Sequence, residues 1–350
     1  MVVRGGYQAA NDTVLPGPND PTQWTTTIRR VSGTIRILAI SSVTNSVLEN
    51  IGFTGGNGTG SGGGLSISGS QLTMAGCKIW NNAVNIINAY GGGIYSFKSM
   101  LVISNCQIVF NQNNGGQYAF SYGGGLYIGE SDVVLLNSLI ATNTVYAYRW
   151  LPELAGGGIA MGGGSRLLAR NCLIYRNNCV CDDGSGTIRG DGIDINGGIA
   201  SFVNCTIANN YGEGLRQVSG TVTVTNSILW NNTGGDLTGT VSVAYSDIQT
   251  ANSFWTNGVN GCFSADPLFV DTTYYHLQSR AGQYVGGYFS GGSWSVSLTN
   301  DSPCIDAGNP ASPCTLEPAP NGNRVNLGAY ANTEVASMRY LQKGAVFTIY

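Results

Sequence analysis

Apolar and polar residues alternate along most of the first 250 residues, in short runs that recur six times between Gly62 and Asn232. Each run begins at a glycine triplet and continues as an alternation such as Gly-Leu-Ser-Ile-Ser at 64–68 or Thr-Val-Thr-Val-Thr at 221–225. It ends at a Cys or Ser that is followed five residues later by Asn. Alternation with a period of two predicts β-strands, and no helical period is found in the repeat.

The closing Cys or Ser and the asparagine keep a fixed register in all six copies. The closing positions are Cys77, Cys106, Ser138, Cys172, Cys205 and Ser227, and the asparagines are Asn82, Asn111, Asn143, Asn177, Asn210 and Asn232. The closing positions are separated by 29, 32, 34, 33 and 22 residues, which describes a short unit with inserted loops. Self-similarity of this kind indicates a solenoid, and strands that bury one face only by stacking predict a parallel β-helix.

Stacking places equivalent residues of successive coils above one another. An inward apolar row is therefore expected at Ile79, Ile108, Ile140, Ile174, Ile207 and Leu229. The closing Cys and Ser form a second row, which we interpret as core rather than as reactive thiols. The asparagines are expected at a corner, where each side chain satisfies backbone groups of its own or the next coil. A degenerate earlier copy closes at Ile51, and a weaker seventh copy ends at Ser246.

The composition agrees with a turn-rich all-β protein. The 350 residues include 52 glycines, 42% are hydrophobic, and only 10% are charged. The formal net charge of −3 argues against nucleic acid as a partner. No apolar run approaches the roughly 18 residues of a membrane-spanning helix.

Nine cysteines permit several interpretations. Four lie in the closing row and are expected to be buried, and a disulfide between Cys304 and Cys314 is one pairing that the C-terminal part allows, with the pairing of the nine cysteines left open. An odd number leaves at least one thiol unpaired within the chain. The single His276 and the pair Cys179 and Cys181 do not give the spacing of a four-ligand zinc site, so no metal site is predicted from these residues.

The pattern GGGIY at 91–95, followed by NC-x-I at 105–108 and by NN, resembles the right-handed parallel β-helix repeat proteins of bacterial surfaces. These include the chlamydial polymorphic membrane proteins, with their Gly-Gly-x-Ile repeats, and more distantly the pectate-lyase-like β-helices. The resemblance covers roughly residues 43–250. It implies an all-β, right-handed parallel β-helix that is secreted or displayed on the cell surface, with further domains of the same chain as possible partners.

The repeat stops at about residue 251, and the chain divides there. The segments 264–279, 301–314 and 321–333 resemble the choice-of-anchor region that ends many secreted bacterial β-helix proteins. We expect coils over 1–250, a C-terminal cap over 251–335 that covers the last strands, and a tail or the start of another module over 336–350. Because the chain begins directly in a strand, we expect a mature form or an excised domain.

Two acids interrupt the glycine triplets. Four triplets are centred on glycine, at Gly63, Gly92, Gly124 and Gly157. The last two copies carry Asp191 and Glu213 at that position, and stacking also predicts Asp194 above Arg216. Close carboxylates do not both ionise freely, so one raised pKa is expected. The alternative is that the acids serve a turn or a surface ion pair.

Two enzymatic hypotheses follow for this patch. A glycosidase would use Asp191 and Glu213 as its acid and its base or nucleophile. Resemblance to the pectate-lyase-like proteins implies instead that Arg216 removes the proton beside a uronate carboxylate, while Asp191, Asp194 and Glu213 hold Ca²⁺.

Aromatic residues are concentrated in the loops between each asparagine corner and the next triplet. All these loops emerge from one edge of the rod, where flat aromatic faces suit sugar rings. The predicted carbohydrate-binding residues are Tyr118, Tyr122, Tyr146, Tyr148 and Trp150, with Tyr90 and Phe120 nearby and with Tyr95 and Tyr127 facing outward on adjacent coils. The alternative is that the aromatic residues only pack the loops onto the rod.

The sequence therefore predicts an extracellular β-helix that binds a polysaccharide or a cell-surface glycan, and it leaves open whether the protein also cleaves that polymer as a hydrolase or a lyase. The competing hypotheses are a non-catalytic adhesin or structural module, and a subunit of a surface filament.

Overall fold

A computed structural model describes residues 1–8, 17–116, 120–148, 152–249 and 255–341. Over these ranges the chain contains strands and turns and no helix, and none of it forms a helix that could cross a membrane. Every strand pairing within the coils is parallel. The chain is an all-β, right-handed parallel β-helix, which confirms the fold predicted from the repeat.

The strands follow the coils in chain order. The N-terminal coils contain β1 (Val2–Arg4), β2 (Thr26–Arg29), β3 (Leu38–Ser41), β4 (Ser46–Glu49), β5 (Ile51–Thr54) and β6 (Asn57–Gly58). The next coils contain β7 (Leu65–Ser68), β8 (Gln71–Ala75), β9 (Lys78–Trp80), β10 (Ala83–Asn85), β11 (Ile94–Phe97), β12 (Met100–Ser104), β13 (Gln107–Val109), β14 (Gln112–Asn114) and β15 (Phe120–Tyr122). They are followed by β16 (Leu126–Gly129), β17 (Asp132–Leu136), β18 (Leu139–Ala141), β19 (Thr144–Ala147), β20 (Glu153–Ala155), β21 (Ile159–Gly162), β22 (Arg166–Arg170), β23 (Leu173–Tyr175), β24 (Asn178–Cys181) and β25 (Thr187–Arg189).

The last coils have no strands that correspond to β24 and β25, which belong to the inserted loop of the preceding coil. They contain β26 (Ile193–Val203), β27 (Thr206–Ala208), β28 (Leu215–Thr225), β29 (Ile228–Trp230), β30 (Leu237–Thr238), β31 (Ser242–Ala244) and β32 (Asp247–Ile248). The C-terminal segment contains a single hairpin, β33 (Gln283–Val285) and β34 (Ser293–Ser295), within the described residues.

Four parallel sheets run along the rod. The large sheet has 15 strands and includes β26 and β28, which are long enough to continue around one corner. The lateral sheet has nine strands in the order β2-β5-β9-β13-β18-β23-β27-β29-β32. The short sheet is β24-β19-β14-β10-β6, and the loop sheet is β15-β20-β25. The short sheet and the loop sheet thus both end before the coil of β26.

The inward rows form one continuous core along the rod. All six residues of the predicted isoleucine and leucine row are fully buried, and the closing Cys and Ser are buried beside them. The closing residues also bond to one another, because the Cys106 amide donates to Ser138 Oγ over 3.1 Å and the Cys205 amide to Ser227 Oγ over 3.0 Å. The predicted register is confirmed, including the early copy that closes at Ile51, since Gly52 pairs with Lys78.

The corner asparagines form a ladder of buried amides, which confirms their predicted structural role. Asn143 is representative: its Nδ2 donates to Ile108 O over 2.9 Å and to Asn177 Oδ1 over 3.1 Å. Its Oδ1 accepts from both the backbone N–H and the Nδ2 of Asn111, each over 3.0 Å. The ladder continues through every repeat to Asn232, whose Nδ2 donates to Asp236 Oδ1 over 2.8 Å.

The C-terminal segment covers more than the end of the rod. Trp255 and Cys262 belong to the main core beside the last coil. Most of the segment instead lies along the outer face of the lateral sheet, where Tyr275, Tyr284 and Tyr330 pack against residues such as Tyr175. The predicted cap is thus largely a lateral cover.

Cys304 and Cys314 do not form the disulfide that the sequence allows, because all nine cysteines are free thiols. Cys304 is fully buried, and its Sγ donates to Asp247 Oδ2 over 3.1 Å, whereas Cys314 lies near the surface. His276 is buried against Tyr330 and donates through Nε2 to the backbone carbonyls of Gly287 and Tyr288, so it serves the packing of this segment.

Replacing one rung of the ladder tests its contribution to stability. Asn143→Ala leaves the Ile108 carbonyl and the Asn111 amide buried without their partner, and each such group costs roughly 1–3 kcal/mol. We expect the free energy of unfolding, measured by urea titration, to fall by about 3 kcal/mol. The control Asn300→Ala, at an exposed position, should change it by less than about 0.5 kcal/mol. Equal effects of the two variants would contradict a stabilising ladder.

Candidate functional site

One outward row of the large sheet carries most of the chemistry that the sequence singled out. Strand pairing places these residues in register on successive coils: Ala39, Ser66, Tyr95, Tyr127, Ala160, Asp194, Arg216 and Thr238. The middle of the row is aromatic and the following part is charged, with Ala160 between the two. A linear molecule bound on this surface, parallel to the rod axis, would therefore contact the stacked rings with one part and the ionic groups with the adjacent part.

The aromatic platform consists of Tyr90, Tyr95, Phe97, Tyr122 and Tyr127, all of them half-buried. The rings of Tyr95 and Tyr127 are stacked, with centroids 5.7 Å apart and planes inclined by 7°. Tyr90 packs on Tyr127 with a centroid distance of 4.7 Å and joins Tyr122 at 5.7 Å. These contacts hold the rings in place before any ligand arrives.

Glycine beside the platform leaves room for its rings. A Cβ at Gly129 would lie 2.9 Å from Cε1 of Tyr127 and 3.3 Å from Cδ2 of Phe97, so a larger residue would displace both rings. Burial, with a smaller contribution from Tyr90, raises the pKa of Tyr127 to about 12. Its hydroxyl is therefore neutral and able to donate and accept hydrogen bonds at ordinary pH.

The charged cluster continues the platform and consists of Glu153, Arg189, Asp194, Glu213 and Arg216. The Tyr122 hydroxyl donates to Glu153 Oε1 over 2.7 Å, and Arg189 Nη2 donates to the same oxygen. Arg216 Nη1 lies 3.2 Å from Glu213 Oε2, and Arg189 Nε lies 3.9 Å from Asp194 Oδ1. The Tyr122–Glu153 bond thus connects the cluster directly to the platform.

Asp191 occupies a position made free by the end of the short sheet. In earlier coils a Cβ at the triplet centre would collide with the next strand, as at Gly157, where it would lie 2.5 Å from Asn178 O. The coil of Asp191 has no strand in the short sheet, so a side chain fits. Asp191 Oδ1 accepts the Cys179 amide of the last short-sheet strand over 2.9 Å.

Glu213 plays the equivalent part for the loop sheet. That sheet ends at β25, and Glu213 Oε2 accepts the N–H of Gly190, the residue that follows β25, over 3.0 Å. The turn interpretation of the two acids is therefore the one that their hydrogen bonds support. The same carboxylate also pairs with Arg216, which leaves Glu213 between a backbone amide and a cation.

Asp194 is the acid whose bonding is incomplete. Its side chain is 4% exposed, and in the described chain neither its Oδ1 nor Arg189 Nε has a hydrogen-bond partner. Burial raises the pKa of Asp194 to about 6, although Arg189 and Arg216 act to lower it. Burial also raises the pKa of Asp191 to about 6, against the lowering effect of its backbone hydrogen bonds.

The structure brings together Asp191, Asp194, Glu213 and Arg216, as stacking predicts, and adds Tyr122 to them. Tyr146 lies instead on the short sheet, where its hydroxyl bonds to Asp182, and Tyr148 follows it at the end of that strand. Tyr118 and Trp150 lie outside the described residues. Of the loop aromatics that were expected to gather at one place, Tyr90 and Tyr122 lie together, whereas Tyr146 lies on a different sheet.

The sequence did not single out Glu153 and Arg189 as members of the site. The missing information is that β15, β20 and β25 pair as a sheet, which puts Phe120 opposite Glu153 and Tyr122 opposite Ala155, with Arg189 one strand further. The one sequence feature that could have indicated their membership is that Glu153 and Arg189 each lie a few residues before a triplet. Loops of unequal length obscure this feature.

The three acids of the lyase hypothesis do not form a calcium site. Within the described ranges no group of three His, Cys, Asp or Glu side chains could hold a metal ion. The physical reason is their orientation, since Asp191 is directed at the Cys179 amide and Glu213 at Gly190 and Arg216. The Ca²⁺ role assigned to Asp191, Asp194 and Glu213 is corrected accordingly.

Comparison with protein families agrees with this architecture. Residues 84–255 match the model of the right handed beta helix region. Comparison with curated proteins and with solved structures gives no significant match. The match covers the coils that hold the aromatic platform and the charged cluster, and it shows the fold of this region without a specific activity.

The raised pKa of Asp191 predicts how stability changes with pH. A carboxyl whose pKa is higher in the folded than in the unfolded chain stabilises the fold fully below about pH 4 and loses that contribution as the pH rises through about 6. Asp191→Asn keeps an oxygen for the Cys179 amide and cannot ionise. Relative to the unmodified protein, the variant should gain on the order of 2 kcal/mol between pH 4 and pH 7.

The measurement is urea unfolding at pH 4, 5, 6 and 7. Asp132→Asn, which removes an exposed carboxylate from the outer face of β17, controls for a general loss of negative charge. A constant difference between Asp191→Asn and the unmodified protein across this range would show that the buried carboxyl does not titrate as described.

Proposed function

We propose that the protein binds a polysaccharide or cell-surface glycan along the outward row, with the aromatic platform as the main contact and the charged cluster as the polar end. The observation that carries this proposal is the stacked pair Tyr95 and Tyr127, held in register with Asp194 and Arg216 on one surface. Binding of such a polymer accords with a secreted or cell-surface location.

The geometry of the row suits a linear polymer. Strands are stacked at about 4.8 Å, so equivalent side chains repeat at that interval along the rod. Rigid aromatic faces that are already packed lose little conformational entropy on binding, and hydroxyl and carboxylate groups beside them can fix the hydroxyls of a sugar. Tyr122 supports this arrangement because it belongs to the platform and also bonds to Glu153.

Binding without cleavage is the form of this function that the hydrogen bonds favour. Asp191 and Glu213 each accept a backbone N–H, and such bonds favour the ionised form and fix the side chain away from a ligand. A glycosidase would need both carboxyls free to approach the scissile bond. The protein would then act as an adhesin or a glycan-attached surface module.

Cleavage remains a second candidate because of one observation at Asp194. Its Oδ1 has no partner within the described chain, and its pKa of about 6 is that of a group able to donate a proton near neutral pH. In this alternative Asp194 is the general acid and Arg216 stabilises negative charge. Opening of the pair between Asp194 and Arg189 would be required, since the carboxyl is buried.

Loss of one platform ring should weaken glycan binding selectively. A panel of polysaccharides is first tested for binding by affinity electrophoresis, and the best ligand is then titrated calorimetrically. Tyr127→Ala should weaken its binding about tenfold, which corresponds to about 1.4 kcal/mol. Phe110→Ala removes an exposed ring from the corner between β13 and β14 and should leave the affinity unchanged. The proposal is wrong if neither variant, or both equally, affects binding.

The same panel separates binding from cleavage. Reducing ends and the ultraviolet absorbance of unsaturated products are followed with and without Ca²⁺. We expect neither to increase. Products that are formed by the unmodified protein and lost in Asp194→Asn would establish the cleavage alternative, and products that require Ca²⁺ would select a lyase over a hydrolase.

A further inference from the structure

A second row of asparagines lies outside the ladder, on the corner next to the lateral sheet. Each member directly precedes a closing Cys or Ser: Asn105, Asn137, Asn171, Asn204 and Asn226. All have a φ between 48° and 53°, so the left-handed turn accounts for the residue type. The turn does not account for what their side chains bind.

Three members of this row hold the C-terminal segment by its backbone. Asn171 Nδ2 donates to Ala329 O over 2.9 Å and to Ala331 O over 2.7 Å, and Asn204 Nδ2 donates to Ala331 O over 3.4 Å. Asn226 Oδ1 accepts the Asn309 amide over 2.7 Å. Asn171 and Asn204 contact only backbone carbonyls, whereas Asn226 Nδ2 also donates to Ser312 Oγ over 3.0 Å. The backbone bound by Asn171 and Asn204 forms a turn, in which the Ala331 amide donates to Gly328 O over 3.1 Å. These two asparagines would therefore accept another turn with small residues at these positions.

The next two members of the row line a groove. Asn137 and Asn105 make no side-chain hydrogen bond in the described chain, and they border a groove of about 310 Å³. Leu139 and Leu173 form its floor, and Tyr288 and Phe289 of the C-terminal segment form one wall. The groove therefore lies on the same surface as the C-terminal segment. It is one coil nearer the N-terminus than Asn171, where that segment is bound.

We propose that this groove binds a turn-forming peptide segment of another protein. The amides of Asn137 and Asn105 would donate to its backbone carbonyls as Asn171 does to Ala329 and Ala331. Among the described residues the groove's lining includes no charged side chain, so the segment is uncharged here. The leucine floor and the aromatic wall favour small apolar residues with at most one aromatic side chain.

The proposal is independent of the glycan proposal. The groove is built on the lateral sheet and the C-terminal segment, whereas the aromatic platform is built on β11 and β16 of the large sheet together with β15 of the loop sheet. Continuity with an interface that the chain already forms is the argument for a peptide, because Asn171 and Asn137 are equivalent positions of adjacent coils.

The probe is a fluorescent peptide with the sequence of residues 325–333, Val-Asn-Leu-Gly-Ala-Tyr-Ala-Asn-Thr, which already has the required chemistry. Its binding to the full chain is followed by fluorescence anisotropy. Asn137→Gly removes the amide while glycine tolerates the positive φ, and it should weaken binding about tenfold. Asn105→Gly should also weaken it.

The control is Asn81→Gly, which changes an exposed asparagine with a φ of 52° at another corner and should leave the affinity unchanged. Urea unfolding verifies that each variant is folded. Asn171→Gly should also leave peptide affinity unchanged. If it weakens binding as strongly as Asn137→Gly, the peptide displaces the protein's own segment and the proposal fails.

Two further results would overturn the inference. The first is absence of binding by the unmodified protein at millimolar peptide. The second is displacement of the peptide by the polysaccharide that binds the platform, which would assign the groove to carbohydrate. Loss of glycan binding in Tyr127→Ala with normal peptide binding separates the two proposals.

Discussion

The hydrogen bond from one buried asparagine to the next sets the register of the whole rod. Each amide satisfies the neighbouring side chain and a backbone carbonyl at once, as Asn143 does with Asn177 and Ile108. A coil shifted by one residue would bury several polar groups without partners, at a cost comparable to the net stability of a domain. The same register fixes the positions of the outward side chains. Tyr95 and Tyr127 are therefore stacked neighbours although 32 residues separate them.

Three acids in this repeat lie where a neighbouring strand or the asparagine ladder ends. Asp191 takes up an amide of the short sheet, Glu213 takes up an amide beside the loop sheet, and Asp236 takes up the last amide of the ladder. One rule therefore explains all three: a carboxylate replaces a lost backbone or side-chain acceptor. Within the charged cluster, Glu213 follows this rule, whereas Glu153 bonds to Tyr122 and Arg189 and Asp194 takes up no lost amide.

Rows of the β-helix could be predicted by counting, because the repeat keeps the strand and corner positions constant. Ile79, Asn143, Tyr95 and the pairing of Asp194 with Arg216 were all obtained in this way. Features outside the repeat could not be obtained from the same pattern. The separation of Tyr146 from Tyr122 depends on two loop strands that diverge into different sheets, and loops of unequal length hide that divergence. The position of Cys304 depends on docking of a segment that has no internal period.

The ladder also has a direction, which bears on how such a protein changes in evolution. In every bond between two ladder asparagines, Nδ2 donates to the Oδ1 of the following coil, as Asn210 does to Asn232, and Asp236 Oδ1 accepts the last of these bonds. Duplication of an internal coil would supply one more donor and one more acceptor and would leave both ends unaltered. Adding coils after Asp236 would instead require a new residue to end the ladder. Internal duplication therefore lengthens the rod with the fewest other changes.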